Sequence, residues 1–147
     1  MLDHATGLVW LKNADCSGSD VRWSDALARV QELNANATMA GFVRADTSNR
    51  GSHATDWRLP NGREFQTLLD FQQVRPSLPL NHPFDNLTAY RTHCSSTTNA
   101  AIPNHAYVAN FSDAATQDGI KYLNYGSGEY FGIAAVLAVR GGAVGCR

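Results

Sequence analysis

The apolar residues of this chain recur at helical spacing only in its first half, and from residue 90 onward the pattern is that of strands. Trp23, Ala26, Leu27, Val30 and Leu33 form one stripe, with Ser24, Asp25, Arg29, Gln31 and Glu32 on the opposite face. That period predicts a helix over 23–34. Asn61 with Glu64 three positions later is a capping-box arrangement ahead of Phe65, Leu68 and Leu69, and predicts a second helix over 61–71. Leu59 or Pro60, just before the cap, suits a hydrophobic staple against Phe65. Pro76, Pro79 and Pro83 then exclude a helix between 74 and 87. The strand readings are Gly7–Leu11, Tyr90–Thr98, Ala106–Phe111, Ile120–Leu123 and Ile133–Arg140, with Asp113–Gly119 as a hairpin connection. One strand, two helices and then strands is an α+β order and not an alternating βαβ one.

At 147 residues the chain is expected to form a single domain over 1–147. Its charge sums to 12 − 13 = −1. No basic field is available for nucleic acid or an anionic membrane surface, so neither is expected as a partner. The longest apolar run, Phe131–Val139, is far short of the ~20 residues of a spanning helix, so no membrane insertion is expected. Met1-Leu2-Asp3-His4 has neither the basic start nor the apolar stretch of a signal peptide.

Chemistry-bearing motifs are absent. There is no dinucleotide fingerprint, phosphate loop, zinc-protease motif or nucleophile elbow. Asp113–Gly119 lacks the alternating acids and closing glutamate of a calcium loop. His4, His53, His82, His93 and His105 are scattered, and Cys16, Cys94 and Cys146 fit no zinc spacing. No catalytic residue, metal or cofactor is expected. The three cysteines allow one disulfide and one leftover thiol.

Trp10, Trp23, Leu27, Val30, Trp57, Leu59, Phe65, Leu68 and Phe84 are the expected core. Trp10 and Trp57 each bring a large apolar area and an N–H that needs a partner. Arg58 is placed to bridge to backbone carbonyls or to Glu64. Gly141 and Gly142 open backbone geometries closed to other residues. If the domain binds a ligand, recognition is expected on loops late in the chain, at 99–105, 113–119 and 124–131. There Tyr125 and Tyr130 would stack, while Gln117, Asn124 and Glu129 would supply hydrogen bonds.

Five stretches together resemble the bacterial family named after the C-terminal domain of the Legionella collagen-like adhesin. They are Asp3-His4-Ala5-Thr6-Gly7-Leu8-Val9-Trp10, Asp56-Trp57-Arg58-Leu59-Pro60-Asn61-Gly62-Arg63-Glu64, His82-Pro83-Phe84, Ser95-Ser96-Thr97-Thr98 and Val139-Arg140-Gly141-Gly142. They keep the family's order and cover nearly the whole chain. The resemblance implies a C-type-lectin-like architecture of two helices on a twisted antiparallel sheet, with the terminal segments adjacent. It also implies an extracellular, cell-surface or periplasmic setting, and the chain is expected to be a piece of a longer exported protein. The implied role is a non-catalytic binding or adhesion module for a glycan or protein ligand. The alternative is a structural module that caps a fibre by homo-oligomerisation. Calcium-dependent sugar binding of the lectin type is disfavoured, because no Glu-Pro-Asn or Trp-Asn-Asp triplet occurs.

Arg91-Thr92-His93-Cys94 stands where relatives tend to carry Tyr-Tyr-Trp. Cys94 is therefore expected as a buried free thiol in the place of an aromatic. Cys16 and Cys146, just beyond the terminal strands, are the expected pair if a disulfide forms. Trp57-Arg58-Leu59-Pro60 and Arg140-Gly141-Gly142 are also similar to formylglycine-generating enzymes. Those need a reactive cysteine pair near the C-terminus, where this chain has only Cys146. No enzyme activity is expected on that count.

Overall fold

The computed structural model describes residues 1–16, 18–39, 54–121 and 134–142. Its elements run β1 (Leu8–Trp10), α1 (Trp23–Asn36), α2 (Gly62–Leu68), β2 (Thr92–Thr98), β3 (His105–Asn110), β4 (Ala115–Ile120) and β5 (Val139–Gly141). Two sheets form: β1 pairs antiparallel with β5, and β2, β3 and β4 make a three-stranded antiparallel meander. The class is α+β, and the first and last strands are neighbours as expected.

The spine of the molecule is the late apolar run. Ala134 to Val139 are all buried, with Ala135 through Val139 at 0% exposure. This run is covered on every side, which is why it reads as continuous apolar sequence and not as an alternation. Most of it is not regular strand. It exchanges single bridges with three separate parts of the chain: Ala134 with Val21, Ala135 with His93, and Val139 with Arg58. Leu11 N–H also donates to the Ala138 carbonyl at 2.9 Å. Trp10, Leu33, Phe65 and Phe111 are fully buried around it. Phe65 is the hub, its ring 5.9 Å from Trp10 and 6.1 Å from Phe111.

Helix α1 extends to Asn36, beyond the apolar stripe, because Asn34 is gripped. Its side chain donates to the Trp57 carbonyl at 2.8 Å and accepts from the Trp57 N–H at 2.9 Å. Ala26, Val30 and Leu33 are its buried residues, while Trp23 and Leu27 are only half-buried. Trp23 departs from the expected core position because it starts the helix. Its indole N–H donates to the Ser95 carbonyl at 2.8 Å, and the Lys121 ammonium lies 4.4 Å from the ring centre.

Helix α2 stops at Leu68, not near Phe71. The Asp70 side chain accepts from the Gln72 N–H at 2.9 Å, and the Asp70 N–H turns away to the Ser77 carbonyl at 3.1 Å. Such a local turn competes with continuing the helix, and it leaves Phe71 76% exposed.

The largest departure lies in residues 113–119. Expected as a hairpin connection, most of this stretch is β4, in register with β3 from Asn110–Ala115 to His105–Ile120. Ala-Thr-Gln-Asp-Gly-Ile has weak strand propensity, and pairing with a complete neighbour decided it. As the edge strand it exposes Gln117 and Asp118, which suits an edge that should not recruit another strand. The strand expected at Ile120–Leu123 ends at Ile120, and Leu123 lies outside the described residues.

Candidate functional site

The Trp-Arg-Leu-Pro-Asn-Gly-Arg-Glu stretch builds a clamp at the start of α2. The capping box closes with the Asn61 side chain accepting from the Glu64 N–H at 2.9 Å and Glu64 accepting from the Asn61 N–H at 2.8 Å. Arg58 takes both oxygens of the same carboxylate, each at 2.7 Å, and also donates to the Gly141 carbonyl at 3.2 Å. Burial pushes the Glu64 carboxyl up, but the Arg58 and Asn61 hydrogen bonds outweigh it and hold the group below its ordinary value. One guanidinium thereby joins α2 to β5. Gly141 and Gly142 carry φ of +70° and +102°, and a Cβ on Gly142 would meet the Leu8 side chain at 3.0 Å. These positions need glycine, as the sequence indicates.

The clamp also sets one wall of an open groove of about 890 Å³. Successive residues of a strand alternate between sheet faces, and residues paired across two strands share one. Tyr107 and Ala109 therefore share a face with their partners Asp118 and Thr116. Helix α2 lies on the inner half of that face, where the Phe65 ring is 6.5 Å from His93. The outer half stays open. Thr97, Tyr107 and Thr116 make its floor, Arg63, Gln66 and Thr67 of α2 make one wall, and Thr6, Leu8 and Gly142 close the other side. Two bonds fix the helix to the floor: the Gly62 N–H donates to Thr97 Oγ1 at 2.9 Å and Gln66 Nε2 to Thr116 Oγ1 at 3.4 Å. The groove volume falls within the ~300–1,000 Å³ of small-ligand sites.

Beyond Tyr107 the same face ends in a polar cluster. Asp118 accepts from Asn99 Nδ2 at 3.1 Å and meets His105 Nδ1 at 3.0 Å. Asn99 and then His105 hold its carboxyl below the ordinary range. The loop 99–104 is tied down further by Lys121, whose ammonium donates to Thr98 Oγ1 at 2.7 Å and to the Pro103 carbonyl at 3.0 Å.

The structure separates two of the three loops expected to form one surface. Residues 99–104 join β2 to β3 at one end of the meander, whereas 111–114 join β3 to β4 at the other end. Gln117 is exposed on β4 opposite Val108, so it faces away from Tyr107 and Thr116 and does not line the groove. Asn124, Tyr125, Glu129 and Tyr130 lie outside the described residues.

The groove residues were missed because threonines and one tyrosine, spaced over 110 positions, leave no local pattern. Only the Asn61–Glu64 box hinted at its wall.

Trp10, Trp57 and Phe84 are buried as expected. The Trp10 indole N–H, expected to find a partner, has none among the described residues. Cys16 and Cys94 are buried free thiols, and Cys146 lies outside the described residues. Burial, with Asp15 and Glu32 nearby, pushes the Cys16 thiol up to about 11. Burial, with Asp20, pushes Cys94 up to about 12. Among the described residues no three His, Cys, Asp or Glu side chains gather as a metal-binding set, and no helix is long and apolar enough to cross a membrane.

Fold and groove together define an α+β domain with a clamp that ties α2 to β5 and an open groove beside it. The family model of the Lcl C-terminal domain matches residues 1–128. The chain belongs to the Lcl C-terminal domain family. No curated protein matches it.

Proposed function

We propose that this domain is a non-catalytic binding module of an exported or surface-attached protein, recognising a glycan or protein ligand. The open groove between α2 and the face of the β2–β3–β4 sheet is the observation that carries this reading. It is walled by the clamp and floored by side chains that both donate and accept hydrogen bonds, a lining suited to holding a ligand. Family membership supports a role in a surface protein, and the lectin-like architecture implied by the sequence motifs is part of the same proposal. Cys16 and Cys94 have raised pKa values, the opposite of the activated thiolate that formylglycine chemistry needs.

The test is binding of the intact domain to glycan and protein arrays. Hits lost in Gln66→Trp, which fills the groove from an exposed helix position, support the groove. Hits lost instead in Tyr125→Ala or Glu129→Ala place recognition on the late-chain stretch. No reproducible hit on either array refutes a binding module.

Self-association is favoured by a separate observation. Phe71, Val74 and Leu80 stand 75–76% exposed within one short segment after α2. A second copy of the chain would cover them. Light scattering at micromolar concentration reads this directly, and a strict monomer removes the fibre-capping alternative.

A further inference from the structure

We infer that the groove takes an uncharged polysaccharide, with a sugar ring seated on Tyr107. This rests on the reading of the domain as a binding module and names the ligand class of that same groove. Charge is the first argument. Among the described lining residues the charged side chains are Arg63 and Glu64, so the lining carries a single cation. Glu64 is already held by both Arg58 nitrogens at 2.7 Å and by the Asn61 N–H. A polyanion needs a run of unengaged cations, and the floor offers none: Thr97, Tyr107 and Thr116 are all neutral.

The second argument is chemical complementarity. Thr6, Thr67, Thr97 and Thr116 place hydroxyls around the groove, and Asn61 and Gln66 add amides. A hydroxyl both donates and accepts and rotates to suit its partner. That matches a ligand whose own surface is hydroxyls of mixed polarity. Each of these threonine hydroxyls makes one or two bonds within the protein and keeps a lone pair or a proton for a ligand. Tyr107 is half-buried at the centre of the floor. Its ring gives an apolar plate with a polar edge, the surface that the C–H face of a pyranose covers. The third argument is rigidity. The floor is a paired meander and the wall is pinned to it through Thr97 and Thr116. A preformed site loses little entropy on binding, which matters for ligands with weak individual contacts.

The experiment is native electrophoresis of the intact domain through gels carrying one polysaccharide each. The neutral set is starch, dextran, mannan, laminarin and xyloglucan, and the charged set is heparin and dextran sulfate. Retardation by at least one neutral polysaccharide is expected, unchanged between ~0.05 and ~0.5 M salt. Gln66→Trp should abolish it with the melting temperature intact. Tyr107→Phe should retain it, and Tyr107→Ala should weaken it about tenfold, equivalent to ~1.4 kcal/mol. If Tyr107→Ala unfolds, Gln66→Trp and Thr116→Val still decide the matter. Retardation only by heparin or dextran sulfate, lost at high salt, overturns the inference while leaving the binding module standing. Retardation by none of the gels overturns it as well, and the protein array then decides whether the broader reading survives. Neutral retardation that persists in both Gln66→Trp and Thr116→Val shows that the groove is not the site and overturns the assignment.

Discussion

His93 shows how one side chain can set the acid limit of the fold. It is 1% exposed on β2, with its ring centre 4.9 Å from Phe111 and 6.5 Å from Phe65. Burial, aided by the Arg91 charge and opposed by backbone hydrogen bonding at Ala14 and Arg91, pushes its pKa from 6.5 down to about 4. The folded state therefore holds the neutral ring while the unfolded chain takes a proton below pH 6.5. Stability from this group is complete above 6.5 and is lost as pH falls toward 4, by ~3 kcal/mol in all. Urea melts at pH 7, 5.5 and 4.5 should show the decline, and His93→Phe should flatten it. A decline of equal size in His93→Phe would assign the effect to other groups. The two buried thiols lend themselves to a simpler check. With pKa values of about 11 and 12, Cys16 and Cys94 should resist iodoacetamide at pH 8 in the native state and react once unfolded. Counting thiols in denaturant without reductant tests the free state of Cys16: three free thiols agree with it, and one means that it has paired.

At the scale of elements, α2 is seven residues long and could not stand alone. It is held by its capping box, by Arg58 and by Phe65. Asn61→Ala should cost ~1 kcal/mol, the usual worth of such a cap. Arg58→Ala should lower the melting temperature further than Asn61→Ala, because it releases Gly141 as well as Glu64. An Arg58→Ala domain as stable as wild type would show that the clamp is ornamental. The Glu64 contribution has the opposite pH sense to an ordinary raised group. Its folded pKa lies below 4.5, so its stabilisation is present above that value and fades as pH falls below it. This window sits under that of His93, and the two are separable in one titration. Strand β4 makes the complementary point. Its composition is that of a turn, and only six paired positions with β3 make it a strand.

For the whole molecule, the decisive feature is the buried run from Ala134 to Val139 that bonds to β1, β2, Val21 just before α1, and Arg58. Damage there should be felt everywhere at once. Leu137→Ala should cost ~2–5 kcal/mol, a large part of the ~5–15 kcal/mol typical of a domain. The loss should appear as one cooperative transition by both tryptophan fluorescence and circular dichroism. Two separated transitions would mean that the spine does not couple the sheets.

The residues by themselves determined the α+β order, the two helices, the capping box, the glycine positions and most of the core. Each of these is fixed by neighbours within a few positions: a helical stripe at 23–33, a cap three residues from its partner, a glycine at positive φ. The sequence also carried the family, through motifs that prove to be structural, since Arg58, Asn61, Glu64 and Gly141 bind one another. Tertiary structure alone decided the identity of β4, the early end of α2, the separation of loops 99–104 and 111–114, and the groove. Thr6, Thr97, Tyr107 and Thr116 share no periodicity, and only strand register and the seating of α2 bring them to one face. Such a site depends on contacts between residues far apart in the chain, and those contacts exist only once the hydrophobic core has chosen which segments lie side by side.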